Sequence, residues 1–340
     1  MSTQRVVGVG VVGIGFIGHT HVRAYDAAGA RLVAVCDVDA EQMRGRAARG
    51  GNLKDGRGEI TIDPGVVRIA TGLDEFLATP GLELVSVCTP TDTHRAVAVA
   101  ALRAGKHVLV EKPVALDVRT VAEIRDEAAR SGRLCMPAMC MRFWPAWARV
   151  KEAIDDGRFG RVRAMRLERL GAPPAWAHAF YEDESRSGAA LFDLHVHDTD
   201  FVVHCFGVPT EVLSVGDTRH LTSVYRFEDG PAHVVAQGGW MNDRAWTFRM
   251  RFIVEFERAV ADFDIGRSPQ LIVRTAEGEP ATPEVASMAG WEGEIRAMVS
   301  AVAEGRATPP ATMDSAMDTT RTLEAERESL RTGGAVRVEG

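Results

Sequence analysis

Lysine is nearly missing from this 340-residue chain: Lys54, Lys106, Lys112 and Lys151 are the full set, and almost all of the 40 basic residues are arginine. A lysine inside a chemical motif is therefore hard to dismiss as background. The basic residues form no block and the net charge of −7 is spread along the sequence, which argues against a nucleic-acid partner. No apolar run approaches the length of a membrane span. The five cysteines (Cys36, Cys88, Cys135, Cys140, Cys205) include no CxxC pair, so neither a disulfide framework nor a zinc knuckle is expected. Free thiols in a reducing compartment are the simpler reading. After the apolar run 6–18, polar helix-like sequence stands where a signal-cleavage site should be, and a cytoplasmic protein is expected. Internal repeats and low-complexity tracts are also lacking.

The length allows two domains. In the first third, short β-branched runs alternate with helical patterns: RVVGVGVVG, then FIGHTHVRAYDAAG, then RLVAVCD. An Arg/Gly-rich insertion (44–63) precedes VVRIA, the helix LDEFLA, the strand LVSVC, a helix over 92–104, the strand HVLV and a helix over 117–130. Strand–helix alternation predicts βαβ units and a parallel sheet buried on both faces. The pattern then changes. A helix over 147–156 leads to the strand RVRAMRLERL, a loop to Ser187 and a helix near 191–206. Strand-like runs follow one another from Glu211 to Arg274 without intervening helices, which suggests an antiparallel or mixed sheet. Helices over 291–303 and 315–329 close the chain. The division expected is 1–137 for a dinucleotide-binding α/β domain and 138–340 for an α+β domain.

The stretch VVGIGFIGHTH places glycines at Gly13, Gly15 and Gly18, with Asp37 at the end of the next strand. G-x-G-x-x-G alone is a weak signal. Here a strand precedes it, a helix follows it, and the aspartate lies 19 residues beyond Gly18. That context is the dinucleotide fingerprint of a Rossmann, doubly wound sheet: a tight turn, a close backbone approach to pyrophosphate, and a helix N-terminus offering N–H groups. Asp37 would accept hydrogen bonds from ribose hydroxyls and repel a 2′-phosphate, so NAD(H) is favoured. Arg44 and Arg46 keep NADP(H) open as the alternative.

Two more constellations carry chemistry. CTPTDTH and AGKHVLVEKP each end a predicted parallel strand, where ligands of such sheets bind. Thr91 or Asp92 can cap the following helix, and Pro113 restricts Lys112 to an extended conformation that aims its side chain. A solvated Glu–Lys pair ending a strand is the plainer reading. In SGAALFDLHVHDTDFVVHCFG, Asp193 and His197 lie four apart and share a helix face. A carboxylate beside an imidazole suits acid/base work. Were the stretch a strand, His195 and His197 would share a face and could ligate a metal, as in metal-dependent hydrolases. The apolar FVVHCF fits a helix better, so no metal is expected, and His195 and His204 read as satisfied structural histidines.

These motifs, taken in order, resemble those of the Gfo/Idh/MocA family of NAD(P)-dependent oxidoreductases. So do MRFWPAWARVKEAIDDGRFGRV (141–162) and the closing helices. The resemblance implies a second domain with a large open, mostly antiparallel sheet that serves substrate binding and homo-oligomerisation. It also implies a sugar, cyclic polyol or related small molecule as substrate. Lys112 would be the catalytic lysine and Asp193 with His197 the acid/base pair. Cofactor contacts would come from Gly13, Gly15, Phe16, Ile17, Gly18, Asp37, Thr89, Pro90, Thr91, His94, Glu111 and Lys112. Substrate contacts would come from Lys112, Arg142, Trp176, His178, Tyr181, Asp193, His195 and His197. His195 departs from the family's usual glycine, and Ser187-Gly188 from its doubled glycine. Some relatives use NAD transiently as glycosidases, which the same residues would serve. A catalytically silent NAD sensor is disfavoured by retention of Lys112, Asp193 and His197.

The strand runs from Glu211 to Arg274 are expected to expose Trp, Phe, Met and Val on the sheet's outer face, a surface that a symmetry mate would cover. Arg244, Arg249 and Arg251 would keep that face wet in the alternative, a monomer.

Overall fold

A computed structural model describes residues 5–39, 43, 62–174, 177–243, 245–275, 278, 281–283, 285–286 and 288–339. The chain forms two compact units. The first holds residues 1–140 and 290–317, the second 141–289 and 318–340.

In the first unit, β1 (Gly8–Val12), α1 (Phe16–Ala27), β2 (Arg31–Cys36), β3 (Arg68–Ala70) and α2 (Leu73–Leu77) are followed by β4 (Leu84–Val87) and α3 (Thr91–Arg103). β5 (His107–Glu111), α4 (Val118–Ser131) and β6 (Cys135–Ala138) complete the run. The six strands are ordered β3-β2-β1-β4-β5-β6 and pair in parallel throughout. This order reverses between β1 and β4, the switch point where doubly wound sheets bind ligands. The strands carry almost unbroken runs of buried Val, Leu and Ala, as a sheet covered on both faces requires. Local signals also hold: Asp117 caps α4 by accepting the Thr120 N–H at 2.8 Å, and left-handed Gly132 ends it. For α3 the expected cap differs, because Pro90 occupies that position and Thr91 is already helical.

The second unit contains α5 (Pro145–Asp155), β7 (Val162–Gly171), the short α6 (His178–Tyr181) and α7 (Glu184–Ser187), and α8 (Val196–Phe206). Strands β8 (Glu211–Asp217), β9 (His220–Arg226), β10 (His233–Trp240), β11 (Arg249–Phe256), β12 (Ala259–Asp264) and β13 (Leu271–Thr275) follow. After α9 (Gly290–Ala303) and α10 (Met313–Thr332) comes β14 (Val336–Arg337). The eight-stranded sheet runs β13-β12-β11-β7-β10-β9-β8-β14, antiparallel except for the β7–β10 pair. Its core centres on Trp147, which meets Phe201, Phe252 and Phe263 edge-on, while the guanidinium of Arg169 lies over the indole.

Two expectations need correction. All of 138–340 was expected in one domain. Instead α9 and the first residues of α10 belong to the first unit, where Met313 and Ala316 join the hydrophobic core. The sheet's outer face was expected to expose Trp, Phe and Met, but Trp240, Met250, Phe252, Phe256 and Phe263 all point inward. Outward positions of β11 are Arg249, Arg251, Ile253 and Glu255, and Arg251 pairs with Asp264 at 2.7 Å.

Candidate active site

The glycine turn leaves β1 beside the start of the loop after β4. Gly13 has φ +89°, and a Cβ there would stand 2.6 Å from the Cys88 carbonyl oxygen. A Cβ on Gly18 would meet the Gly13 carbonyl at 2.0 Å, whereas one on Gly15 would meet nothing within 4 Å. Two glycines are thus required by the protein's own packing, and the third faces open space. Gly15 is also the N-cap of α1, with no side-chain cap and no acidic residue in the first turn. A helix N-terminus without a side-chain cap, beside open space, suits a dinucleotide's phosphates. Phe16 and Ile17 follow in the first turn, both half-buried. Asp37 sits at the end of β2, where one oxygen accepts the Ile14 N–H at 2.6 Å and the other the Asp39 N–H at 2.9 Å. Its carboxylate is therefore fixed against the glycine turn, and the remaining lone pairs can accept ribose hydroxyls. Arg44 and Arg46 lie outside the described residues.

The motifs after β4 and β5 are joined by one side chain. His94 is buried on α3, with Nε2 2.8 Å from the Thr89 carbonyl and Nδ1 3.0 Å from that of Pro113. Burial holds this imidazole below the ordinary histidine range, against smaller upward pulls from the carbonyls and Glu111. The Thr89 hydroxyl accepts from Thr93 at 2.7 Å. Pro90 is exposed and Thr91 half-buried. Lys112 is half-buried between buried Glu111 and Pro113, and the Lys112–Pro113 peptide is cis. Glu111 turns inward: one oxygen lies 2.9 Å from His21 Nε2 and the other accepts the Lys112 N–H at 3.0 Å.

In the second unit, 191–206 is helical as expected, but its opening turn (Leu191–His195) is a π-helix. Such turns concentrate at functional sites. Of the ten residues 191–200, only Asp193 and His197 are partly exposed, so the two form one accessible stripe. The preceding corner carries consecutive left-handed residues, Gly188 (φ 70°) and Ala189 (φ 53°). The left-handed pair thus falls one residue later than Ser187-Gly188.

His195 is not a pocket residue. It is fully buried, with Nε2 3.2 Å from the Tyr225 hydroxyl and 3.3 Å from Glu326 Oε2. Thr199 links Tyr225 to Glu326 through contacts of 3.1 Å each. With Glu326 accepting, the protons run from His195 through Tyr225 and Thr199. A Cβ on Gly238 would lie 2.6 Å from His195 Nδ1, so the glycine in β10 makes room for the imidazole. The HxH metal reading, which needed a strand, fails here, since the helix directs His195 into the core. Arg142, expected to touch substrate, instead forms a buried fork with Asp200 at 2.9 and 2.6 Å. His178 is exposed and lies 3.8 Å from Glu182. Tyr181 packs edge-on to Trp240, beside a cluster that includes Ala189 and Leu194. Trp176 lies outside the described residues.

Sequence reasoning missed His21, Tyr25 and Ser86. Their signal was present: His21 and Tyr25 stand one turn apart on the helix that the glycine turn opens. Among the described residues, His21, Glu111 and Glu294 form the one group whose ligand atoms, all buried, lie within 4.8 Å of each other as metal donors would.

A glycine turn opening an uncapped helix at the switch point of a six-stranded parallel sheet defines the class of Rossmann dinucleotide-binding proteins. The sequence narrows this further. Residues 7–139 match the family described as "Oxidoreductase family, NAD-binding Rossmann fold", and 147–262 match the Gfo/Idh/MocA C-terminal domain. The chain belongs to the Gfo/Idh/MocA oxidoreductase family, and its first unit is that family's NAD-binding domain.

One relative is a scyllo-inositol 2-dehydrogenase (NAD(+)) of Bacillus subtilis (strain 168), 29% identical over 67% of this chain and 61% of the relative. The match therefore spans less than two-thirds of that enzyme's length. A 1,5-anhydro-D-fructose reductase of Ensifer adhaerens is 28% identical over 97% of this chain and 98% of its own. Among solved structures, a levoglucosan dehydrogenase in complex with NADH and levoglucosan superposes with a TM-score of 0.82 at 20% identity, covering 99% of this chain and 100% of that one. At that identity it speaks for the fold alone.

Proposed function

We propose that this protein transfers hydride between NAD(H) and a secondary alcohol or ketone on a sugar, cyclic polyol or related ring. The reading is carried by the open glycine turn of the first unit, together with the presence in the second of an accessible Asp193/His197 stripe on an otherwise buried helix. The inositol and anhydrofructose relatives support a polyhydroxylated ring as the substrate.

When bound, NAD supplies the hydride acceptor, and its reduced form the donor. The rest falls to the chain. Oxidation removes a proton from the hydroxyl oxygen as hydride leaves the same carbon, so a base is needed at that oxygen. His197 takes the proton, and Asp193, one turn before it, orients the imidazole and stabilises its charged form. The Lys112 ammonium offsets the developing alkoxide. Reduction runs the same transfers backwards. Asp37 and the amides around Gly15 hold the dinucleotide, with Thr89, Pro90, Thr91, His94 and Glu111 lining or supporting the same strand ends. Preference for NAD over NADP rests on the Asp37 charge. Tyr181 and His178 are the substrate contacts retained from the sequence, and Trp176 stays with them on resemblance alone.

The first unit acts as the dinucleotide domain, and the second serves substrate binding and assembly. A homo-oligomer is the state proposed. Its support is a row of directly opposed outward positions across seven strands: Ile272, Asp262, Ile253, Arg166, Val235, Val224 and Leu213. Five of them are apolar. No helix among the described residues is long and apolar enough to cross a membrane. The five free cysteines fit a reducing, cytoplasmic setting.

Isothermal titration with NADH and NADPH, followed by a turnover screen on inositols, anhydrosugars and their keto forms, tests the reading. Tight NADH binding with turnover on one ring class is expected; equal affinity for the two cofactors removes the role given to Asp37.

A further inference from the structure

A chain of polar groups runs through the core of the first unit to the strand end that carries Lys112. It starts at Tyr25 on α1, whose hydroxyl lies 2.6 Å from Ser86 Oγ on β4. Ser86 Oγ is 3.0 Å from His21 Nδ1, and His21 Nε2 is 2.9 Å from Glu111 Oε1. Glu111 Oε2 then accepts the Lys112 N–H at 3.0 Å. Tyr25, Ser86 and His21 are fully buried, and Glu111 is 5% exposed. With Glu111 ionised, one set of proton positions satisfies every contact: Tyr25 donates to Ser86, Ser86 to Nδ1, and Nε2–H to the carboxylate. Burying so many polar groups costs stability unless each bond is made, and apolar residues would fill the same volume without that demand. The cluster lies inside a sheet that already has an ample apolar core.

The position of the chain is informative. β5 ends at Glu111, so the Lys112 N–H lies just past the strand, and its acceptor is the neighbouring carboxylate. That carboxylate is held by a residue of α1, the helix whose N-terminus is the glycine turn. We propose that His21 is a positioning residue: through Glu111 it fixes the backbone at Lys112 and so the direction of the ammonium. The other titratable groups facing the cluster include Glu294 on α9, His94 on α3, which Glu111 pulls upward, and Cys88 after β4, whose thiol is pushed up by burial and then by Glu111 and Glu294. A divalent ion held by His21, Glu111 and Glu294 would need the proton between His21 and Glu111 displaced.

The proposal rests on the assigned role of Lys112 for its catalytic consequence, but its test needs no substrate. With four lysines in the chain, reductive 13C-methylation gives a sparse NMR spectrum in which Lys112→Arg identifies the Lys112 signal. Lys106, whose Nζ donates to the Leu82 carbonyl at 2.9 Å, reports the fold of the same unit. In His21→Phe and in the isosteric Glu111→Gln, the Lys112 signal should move toward that of a free methylated lysine while Lys106 holds its place. His21→Gln, which restores a donor, should return it part of the way. If His21→Phe fails to fold, Glu111→Gln decides alone. A Lys112 signal at its wild-type position in every folded variant overturns the proposal, as does stoichiometric metal in the protein as purified. A shifted signal in a protein that turns over no ring substrate upholds the positioning and sinks the proposed function instead. With turnover in hand, kcat of His21→Phe should fall on the order of 100-fold.

Discussion

Gly13 and Gly15 belong to one motif and answer to different physics. Gly13 is held by positive φ and by the Cys88 carbonyl 2.6 Å from its absent Cβ, while Gly15 has open space before it. Gly13→Ala should therefore destabilise the first unit by roughly 1–3 kcal/mol, the scale of enforced backbone strain, seen as a lower Tm without ligand. Gly15→Ala should leave the ligand-free Tm nearly unchanged and weaken NADH binding. A Gly15→Ala variant that binds NADH normally would detach the turn from the phosphates. Asp37→Ser should narrow the gap between NADH and NADPH affinity, measured by the same titration.

Elements are tied together in the second unit by buried charge as well as by aromatic packing. Arg169 on β7 grips Asp198 on α8 through bonds of 3.1 and 2.8 Å, and both side chains are almost wholly buried. Removing one partner strands the other, at a cost of roughly 3–5 kcal/mol, whereas replacing both by apolar groups is often nearly neutral. Arg169→Met should thus lower the thermal midpoint sharply, and Arg169→Met with Asp198→Leu should recover much of it. A double variant as unstable as the single one would contradict this account of how α8 is held.

Histidines of α3 and α8 make the fold acid-sensitive. Burial lowers His94, and it lowers His204 from 6.5 to about 4, with Arg142 adding to the effect. The folded state holds these groups neutral, so the unfolded chain binds protons first as pH falls below 6.5. Stability from these groups is complete above that value and declines toward pH 4. Thermal midpoints at about pH 7.5 and pH 5 should show the fall, and His204→Gln should reduce it.

How much of this was written in the sequence differs by element. The parallel sheet was legible because its strands are continuous apolar runs and its turn residues carry their own conformational demands. The α8 helix was legible by periodicity, but its π-helical first turn was not, since a single turn of five residues is too short to set a period of its own. Asp193 and His197 came from spacing. The burial of His195 could not, because it depends on Gly238, Tyr225 and Glu326, which are distant in sequence. Arg142 is likewise claimed by Asp200, 58 positions further on, a contact that no local pattern announces. The outer sheet face was misjudged by one register step. In WTFRMRFIVEF the aromatic and arginine residues alternate, and only pairing tells which set faces in.

For the whole molecule, the surface proposed for assembly is the outward row from Ile272 to Leu213, crossed by Asp262 and Arg166. If a second copy covers it, light scattering at micromolar concentration should give a multiple of one chain's mass. Ile253→Glu with Val235→Glu should then reduce that mass while NADH binding persists. A wild-type mass of a single chain would leave the row as wet surface.

The proposed function turns on hydride transfer to NAD assisted by Lys112. Its most direct measurement is the rate of NADH formation over a panel of cyclic polyols and anhydrosugars, for wild type and Lys112→Ala, alongside the NADH dissociation constant of each. The account predicts turnover on at least one ring class, lost on the order of 100-fold or more in the variant, with NADH affinity little changed. A Lys112→Ala enzyme that keeps near-normal turnover on that substrate would contradict it.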